Sequence, residues 1–297
     1  MQDVEFVDRK TGKKIVERVP GGGMMRFLYS QNILGRFILW AIVKRRILSV
    51  VIGWYMLNPL SAKTARKFVT KHNLDLSDYQ VPEGGFKHFN RFFYRKIKTG
   101  SRPIGDGIIS PADGKILVFP TIDSSNEFYI KGEKFNLNKF FQSDAMAEKY
   151  NDGAMAVIRL APTDYHRFHF PVSGYVLQNQ RLEGMYYSVS PLALKRNMRI
   201  FWQNKRHFVS VETEDLGEVA IAEVGATLTG SIVQSHWPNI DVEKGDEKGY
   251  FAFGGSTVIV FFEKSAMKFS DDLLANTNFG LETAVKMGET IGEPLNG

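Results

Sequence analysis

The chain has 297 residues, 43% of them hydrophobic, which is enough to bury a core in one large domain or two modest ones. It contains no cysteine, so disulfides, thiolate metal sites and a cysteine nucleophile are excluded. The net charge of +6 is unevenly distributed: residues 1–100 carry 19 basic and 7 acidic side chains, whereas residues 101–297 carry 19 and 25. The basic end predicts binding to an anionic partner, either nucleic acid or acidic lipid.

The first residues have mixed charge and lack the apolar core of a signal peptide. Residues 1–20 are polar and predict a small extension or a strand pair, which ends at Pro20 and three glycines. Residues 24 to about 98 have the pattern of helices. We expect Ser61 to cap a helix over Ala62–His72. Four phenylalanines at helical spacing (Phe86, Phe89, Phe92 and Phe93) predict core packing rather than a ligand site.

The segment Met24–Leu60 mixes Trp, Phe, Leu and Ile with arginines and the basic cluster Lys44–Arg46. Its longest uncharged run, Ile47–Ala62, is shorter than the roughly 20 apolar residues of a spanning helix. This composition favours amphipathic helices that lie in a lipid interface, with an ordinary buried helical hairpin as the alternative. The segment is too apolar for a surface that follows phosphates, so nucleic acid is not an expected partner.

After about residue 100 short apolar runs alternate with Gly, Pro, Asp and Asn, which is typical of strands and turns. The predicted strands are residues 115–120, 154–160, 174–178, 207–212, 218–226 and 256–263. The fold class is therefore α+β: a basic amphipathic helical region over residues 1–100, packed on a mostly antiparallel β-barrel or sandwich body over residues 101–297. No low-complexity linker separates the two.

Three motifs contain residues suited to catalysis. Asp113 lies in a Pro/Gly turn just before a predicted strand, a place that is usually structural. His166 and His169 lie three residues apart among aromatic residues, a pattern that suits proton transfer. No further ligand follows at a convincing local spacing, so we expect no metal. The third motif is Gly254-Gly255-Ser256-Thr257, which a predicted strand follows at once.

The last motif differs from the nucleophile elbow of the α/β-hydrolases, which needs a glycine two residues after the serine, where this chain has Val258. Glycines before Ser256 give the backbone the freedom to expose the Gly255 carbonyl to the serine hydroxyl. A plain Gly-Gly turn that opens a strand is the structural alternative for this segment alone.

Taken together, the motifs SPADGKI, APTDYHRFHFPVSG, EVGATLTGSIV and KGDEKGYFAFGGST closely resemble those of the phosphatidylserine decarboxylase family, in the same order. The resemblance is strong over about residues 90–265, and covers the N-terminal region in character only. It implies self-cleavage between Gly255 and Ser256 into a β chain, 1–255, and an α chain, 256–297.

The resemblance also implies the roles of the residues. His169, oriented and charge-stabilised by Asp113, takes the Ser256 proton, as in a serine–histidine–aspartate triad. Ser256 attacks the Gly255 carbonyl, and elimination and hydrolysis leave a covalent pyruvoyl cofactor. That cofactor forms a Schiff base with the serine amine of phosphatidylserine and accepts the electrons left by CO2, which yields phosphatidylethanolamine. His166 then protonates the carbanion.

A diacyl lipid leaves a bilayer only at high cost, about 0.8 kcal/mol for each buried CH2. We therefore expect a peripheral enzyme on the cytoplasmic face of the cell membrane, held on anionic lipid by its basic helices. The resemblance further suggests a homodimer. Three alternatives stay open: a serine hydrolase using Asp113, His169 and Ser256; a non-catalytic membrane-binding β module; and a pyruvoyl decarboxylase of a small amino acid.

Overall fold

The computed structural model of the chain describes residues 4–17, 23, 27, 46–122, 135–194, 197–226, 231–252, 254 and 256–295. Most of the basic, apolar segment that predicts interfacial helices lies outside these residues, up to Arg45. The strands are β1 Val4–Asp8, β2 Lys14–Glu17, β3 Ile108–Ile109, β4 Gly114–Phe119, β5 Ala154–Leu160, β6 Arg167–His169, β7 Gly174–Leu182, β8 Arg206–Glu212, β9 Glu218–Gly225, β10 Ile232–Gln234, β11 Asp241–Val242, β12 Glu247–Phe251, β13 Ser256–Phe262, β14 Met267–Phe269, β15 Glu282–Val285 and β16 Thr290–Pro294.

The helices are short and lie mainly outside the β-rich core. They are α1 Arg46–Leu57, α2 Ala62–His72, α3 Phe89–Phe93, α4 Leu137–Phe141, α5 Asp144–Lys149, α6 Pro191–Leu194, α7 Ile200–Gln203 and α8 Asp271–Asn278, with a 3-10 turn at Pro59–Ser61. In the part of the chain that the structure describes, no helix is both long and apolar enough to cross a membrane.

Ten strands form one sheet in the order β11-β7-β8-β9-β13-β5-β4-β15-β1-β2, and two three-stranded sheets have the orders β10-β12-β6 and β14-β16-β3. All the strand pairs are antiparallel except β1 with β15. The α+β class is confirmed. The large sheet is open, with β11 and β2 at its edges, so the strands do not close into a barrel, which was one of the two forms we expected for the body.

All six predicted strands are present, and all of them except β7 are buried on both faces. β13 shows why: it has the run STVIVFF with every residue buried. Its alternate residues enter two separate clusters, because successive side chains in a strand point to opposite faces. Val258 and Val260 pack with residues of the two small sheets. Ile259 and Phe261 pack against the short helices α4, α5 and α7 on the other face.

The N-terminal strand pair is confirmed and belongs to the large sheet, where β1 lies beside β15. Glu17 anchors it through an ion pair with the buried Arg159, at 2.6 Å. Residues 4–17 are therefore part of the sheet that we assigned to residues 101–297. The pair extends that sheet by two strands rather than adding to the helical region.

The predicted helix Ala62–His72 is observed as α2, but the expected cap is wrong. Ser61 occupies the N-cap position with helical dihedral angles and makes no capping hydrogen bond. Its hydroxyl donates to the carbonyl of Asn58 at 2.7 Å and accepts the amide of Phe89 at 2.9 Å. Ser61 therefore joins α2 to the start of α3, because its hydroxyl finds a tertiary partner.

The aromatic stripe is core, as predicted. Phe89, Phe92 and Phe93 of α3 are buried with Ala65 of α2, and Phe86 packs against them. On the outside of this helical unit several large apolar side chains are exposed, namely those of Val51, Trp54, Tyr55, Leu57 and Leu60. The unit thus has a packed inner face and an apolar outer face.

Candidate active site

Ser256 is the first residue of β13, an interior strand of the large sheet. It pairs with Gly225 of β9 on one side and with Leu160 of β5 on the other. The side chain is fully buried, and its hydroxyl has no hydrogen-bond partner among the described residues. Gly254 just before it has φ 138°, in the left-handed range that glycine tolerates. Gly255 itself lies outside the described residues.

The loop between β5 and β6 brings His166 towards the same place. Leu160, at the end of β5, is paired with Ser256, and the His166 carbonyl accepts the Phe251 amide at 2.9 Å. The connections 161–165 and 252–255 therefore begin and end on paired residues. Because both connections are short, His166 lies within a few residues of the end of β5 that pairs with Ser256.

His166 is buried and neutral, with one ring nitrogen unused. Its Nδ1 lies 2.9 Å from the carbonyl oxygen of Asp164, an acceptor, so Nδ1 carries the proton. Nε2 is then a lone-pair acceptor, and it has no partner among the described residues. Burial and the positive charge of Arg95 lower the pKa of His166 to about 3. The Phe93 ring covers the imidazole at 3.7 Å between centroids.

His169, by contrast, has both ring nitrogens hydrogen bonded. Nδ1 donates to the Gly245 carbonyl at 2.8 Å, and Nε2 accepts the Tyr165 hydroxyl at 3.0 Å. Burial lowers the pKa of His169, partly opposed by the bond to Gly245 and by the charges of Glu247 and Asp113. The ring is therefore neutral, and its Nε2 can accept another proton only when Tyr165 releases it.

Asp113 does not make the orienting contact with His169 that we expected. Its two carboxylate oxygens accept from Arg102 at 3.1 and 2.7 Å, and the Met287 amide donates to Oδ1 at 2.8 Å. Burial would lower the pKa of Arg102, but the bond to Asp113 raises it above the usual range. The carboxylate prefers the bidentate guanidinium, so the Gly245 carbonyl, which accepts from Nδ1, takes the place that we expected for Asp113. Asp113 still favours the protonated ring through its charge.

Sequence reasoning missed Arg102 and Arg95. Arg102 lies in a stretch that we assigned to the boundary between two regions, and nothing local marks it as a partner of Asp113. Arg95 follows the aromatic stripe and is only 3% exposed. It donates to the carbonyls of Phe92 and Thr163, and its Nε is buried without a partner among the described residues.

A second buried polar cluster also escaped prediction, although two of the quoted motifs contain it. Lys248 and Glu223 form an ion pair at 2.7 Å, and both are completely buried. Gln234 bonds to both of them, and it also contacts His207. The one signal in the sequence was a glutamate inside the apolar strand EVAIAEVG. No group of three or more metal-binding side chains that could hold an ion occurs in the described parts of the chain.

Comparison with known proteins points in one direction. The family model for phosphatidylserine decarboxylase matches residues 89–293. A phosphatidylserine decarboxylase proenzyme of Fusobacterium nucleatum is 44% identical, over 99% of this chain and 99% of that protein. Proenzymes of the same name from Desulfitobacterium hafniense and Clostridium botulinum are each 41% identical, over 97% of this chain and 98% and 99% of theirs.

Proposed function

This chain belongs to the phosphatidylserine decarboxylase family, and we propose that it converts phosphatidylserine to phosphatidylethanolamine and CO2 with a pyruvoyl group made from its own Ser256. The observation that carries the proposal is the Ser256 hydroxyl. It is buried and unpartnered within the described chain, directly after two glycines, at the start of an interior strand. A buried hydroxyl without a partner costs stability, and Ser256 differs from other such residues in that two glycines precede it at the position of the family's cleavage motif, which gives its hydroxyl a chemical role.

Self-cleavage requires a nucleophile and a base. Ser256 Oγ would attack the carbonyl carbon of Gly255 and lose its proton, so that the peptide bond becomes an ester. Elimination then releases residues 1–255 and leaves a dehydroalanine at position 256, whose imine tautomer is hydrolysed by water to the ketone and ammonia. We assign the base to His169, which the charge of Asp113 favours in its protonated form. Its Nε2 must first give up the bond from Tyr165.

The residues around Ser256 suit a pyruvoyl group. When formed, that group supplies a ketone carbon that captures the substrate amine and a carbonyl that withdraws the electron pair left by CO2. Phe93 and Tyr165 are buried beside the two histidines and keep water away. Exclusion of water favours loss of CO2, because a carboxylate is strongly stabilised by hydration.

We propose that His166 moves the proton of the decarboxylation step. With a pKa of about 3 it is neutral at neutral pH, so Nε2 has a lone pair and no proton to give. It would first take a proton from the ammonium group of the substrate and later return that proton to the α-carbon once CO2 has left. The same free nitrogen serves both steps.

We also propose that the protein works on an anionic membrane surface, at the cytoplasmic face of the cell membrane. Trp54 and Leu60 are 71% and 72% exposed on the outer face of the helical unit. The neighbouring helix α2 carries exposed Lys63, Arg66 and Lys67. Exposed apolar and basic side chains on one unit are typical of interfacial binding. The homodimer stays a prediction, which sedimentation of the purified protein would check.

The experiment is intact mass spectrometry of three purified proteins. The unchanged chain should give two pieces that separate at Gly255 and Ser256, with the α chain lighter than its serine form by the loss of ammonia. Ser256→Ala should remain whole and inactive. Ser210→Ala is the matched control, because Ser210 is another buried serine of the large sheet whose hydroxyl has no partner within the described residues. It should be cleaved normally.

Two results would overturn the proposal. If the unchanged chain stays in one piece and has hydrolase activity, the serine hydrolase is favoured. An uncleaved, inactive chain that binds anionic vesicles would favour the non-catalytic membrane module.

A further inference from the structure

A basic pocket of about 380 Å³ lies between the α3 segment and β6. Five of its ten lining residues are Lys or Arg and none is Asp or Glu: the cations are Lys87, Arg91, Arg95, Lys96 and Arg167. The volume is in the range of pockets that bind small molecules. A cavity with this lining attracts an anion.

Most of this charge has no counter-ion in the part of the chain that the structure describes. Arg167 is paired with Glu247 at 2.6 Å. Among the described residues, the other four cations form no ion pair. Arg95 is the most confined of the four, since it is only 3% exposed; it donates to the carbonyls of Phe92 and Thr163, and its guanidinium lies over the Tyr79 ring. Its Nε is a buried donor that no described residue satisfies, and a bound anion would satisfy it.

The pocket adjoins His166. Arg95 donates to the Thr163 carbonyl at 3.0 Å, and the carbonyl of the next residue, Asp164, accepts a hydrogen bond from Nδ1 of His166. The charge of Arg95 also acts directly on the His166 ring. Arg167, in the pocket wall, follows His166 in the chain. An anion in the pocket would therefore lie a short distance from the ring that we assign to proton transfer.

We propose that this pocket binds the phosphate group of phosphatidylserine, with Arg95 at its base and Lys87, Arg91 and Lys96 around its opening. The inference rests on the proposed function. In this lipid only an oxygen and a methylene group separate the phosphorus from the α-carbon that loses CO2. A phosphate next to Arg95 would thus hold the α-carbon near His166. Guanidinium groups suit this task, because they bind phosphate oxygens in pairs.

The test uses Lys87→Gln/Arg91→Gln, because both side chains are exposed and folding should not depend on them. The substrate is a short-chain phosphatidylserine below its micelle concentration, so that no membrane is present. We expect KM to rise by about 10- to 100-fold, from the loss of two charged contacts, while kcat stays within a few-fold. Lys98→Gln is the matched control. Lys98 is an exposed lysine of the same segment that does not line the pocket. The KM of the Lys98→Gln variant should be unchanged.

A second measurement does not depend on turnover. Glycerophosphate should bind the uncleaved Ser256→Ala chain, as followed by NMR, and the binding should weaken at least tenfold in the double variant. This result would support an anion-binding pocket even if no decarboxylation were found. Failure of the proposed function can therefore be distinguished from failure of the proposed pocket. Glycerophosphate binding with no change in KM would mean a site for free phosphate and would overturn the proposal. An unchanged monomer KM with weaker activity on vesicles would also overturn it, in favour of attraction to the membrane surface.

Discussion

Two buried polar clusters lie close to one another in the β-rich core, and they differ in how completely their groups are paired. In the Glu223–Lys248 cluster every charged group has a partner, and Gln234 links the pair to His207. Around Ser256 the serine hydroxyl and Nε2 of His166 have none within the described chain. The first cluster joins β9 of the large sheet to β10 and β12 of a small one. The second leaves donors and acceptors open at a cost in stability, which is expected of a site that must receive a substrate.

The largest expected effect is a difference in kcat between variants of His166, in the unpaired cluster, and of His207, in the paired cluster. His166→Gln should still be cleaved, while kcat of the processed enzyme falls by about 10²- to 10⁴-fold, because the proton carrier is gone. In His207→Gln the folded enzyme should keep kcat within a few-fold. Steady-state assays, with the cleaved fraction measured by mass spectrometry, check both. Equal losses in the two variants would contradict the division between the clusters.

The paired cluster should be the one whose disruption lowers stability most. Lys248→Met leaves Glu223 charged and unpaired in the core, and we expect the free energy of unfolding to fall by about 3–5 kcal/mol. Removing the second charge as well, in Lys248→Met/Glu223→Gln, should recover most of the loss. Denaturant unfolding in the uncleaved Ser256→Ala background measures both. If Lys248→Met is as stable as its parent, the Glu223–Lys248 ion pair is not buried as described.

The unpaired cluster should make the fold sensitive to acid. Because the pKa of His166 is lowered to about 3, the folded chain binds fewer protons than the unfolded chain between about pH 3 and pH 6.5. The free energy of unfolding therefore falls as the pH falls through this window, by about 1.4 kcal/mol per pH unit for one such histidine.

His166→Phe removes that group and can pack on Phe93, so its stability should depend less steeply on pH. His207 and His236, whose burial lowers their pKa to about 3 and about 4, should keep part of the slope. Urea unfolding of the Ser256→Ala chain at several pH values between 4 and 7.5 gives the comparison. Identical slopes with and without His166 would show that this ring takes up protons in the folded chain as readily as in the unfolded chain, against a lowered pKa.

The smallest expected effect concerns His169, whose ring is fully paired although we assign it a chemical role. Tyr165→Phe removes the hydroxyl that occupies Nε2. Because that hydrogen bond contributes about 0.5–1.5 kcal/mol, self-cleavage should become faster by up to about tenfold. The fraction cleaved against time in freshly made protein measures the rate. Slower cleavage would mean that Tyr165 orients the ring rather than restraining it.

The strands were predictable because each is encoded locally. Apolar runs of the right length with turn residues between them predicted all six strands of the large sheet that we assigned. The candidate site residues came from the order and content of four motifs, so Ser256 and the two histidines could be named before their surroundings were known. The cap at Ser61 failed for the opposite reason. A local rule placed its hydroxyl on α2, and a residue 28 positions away took it instead.

By itself the sequence determined the family, the β-rich body and the basic N-terminal region, and it named Asp113, His166, His169 and Ser256 as candidate site residues. Tertiary structure alone decided which groups are paired. Arg102 holds Asp113, Lys248 neutralises Glu223 from 25 residues away, and Arg95 faces a pocket beside His166. The physical reason is that a charge in the core takes the nearest well-oriented partner in space, and chain distance carries no information about that choice.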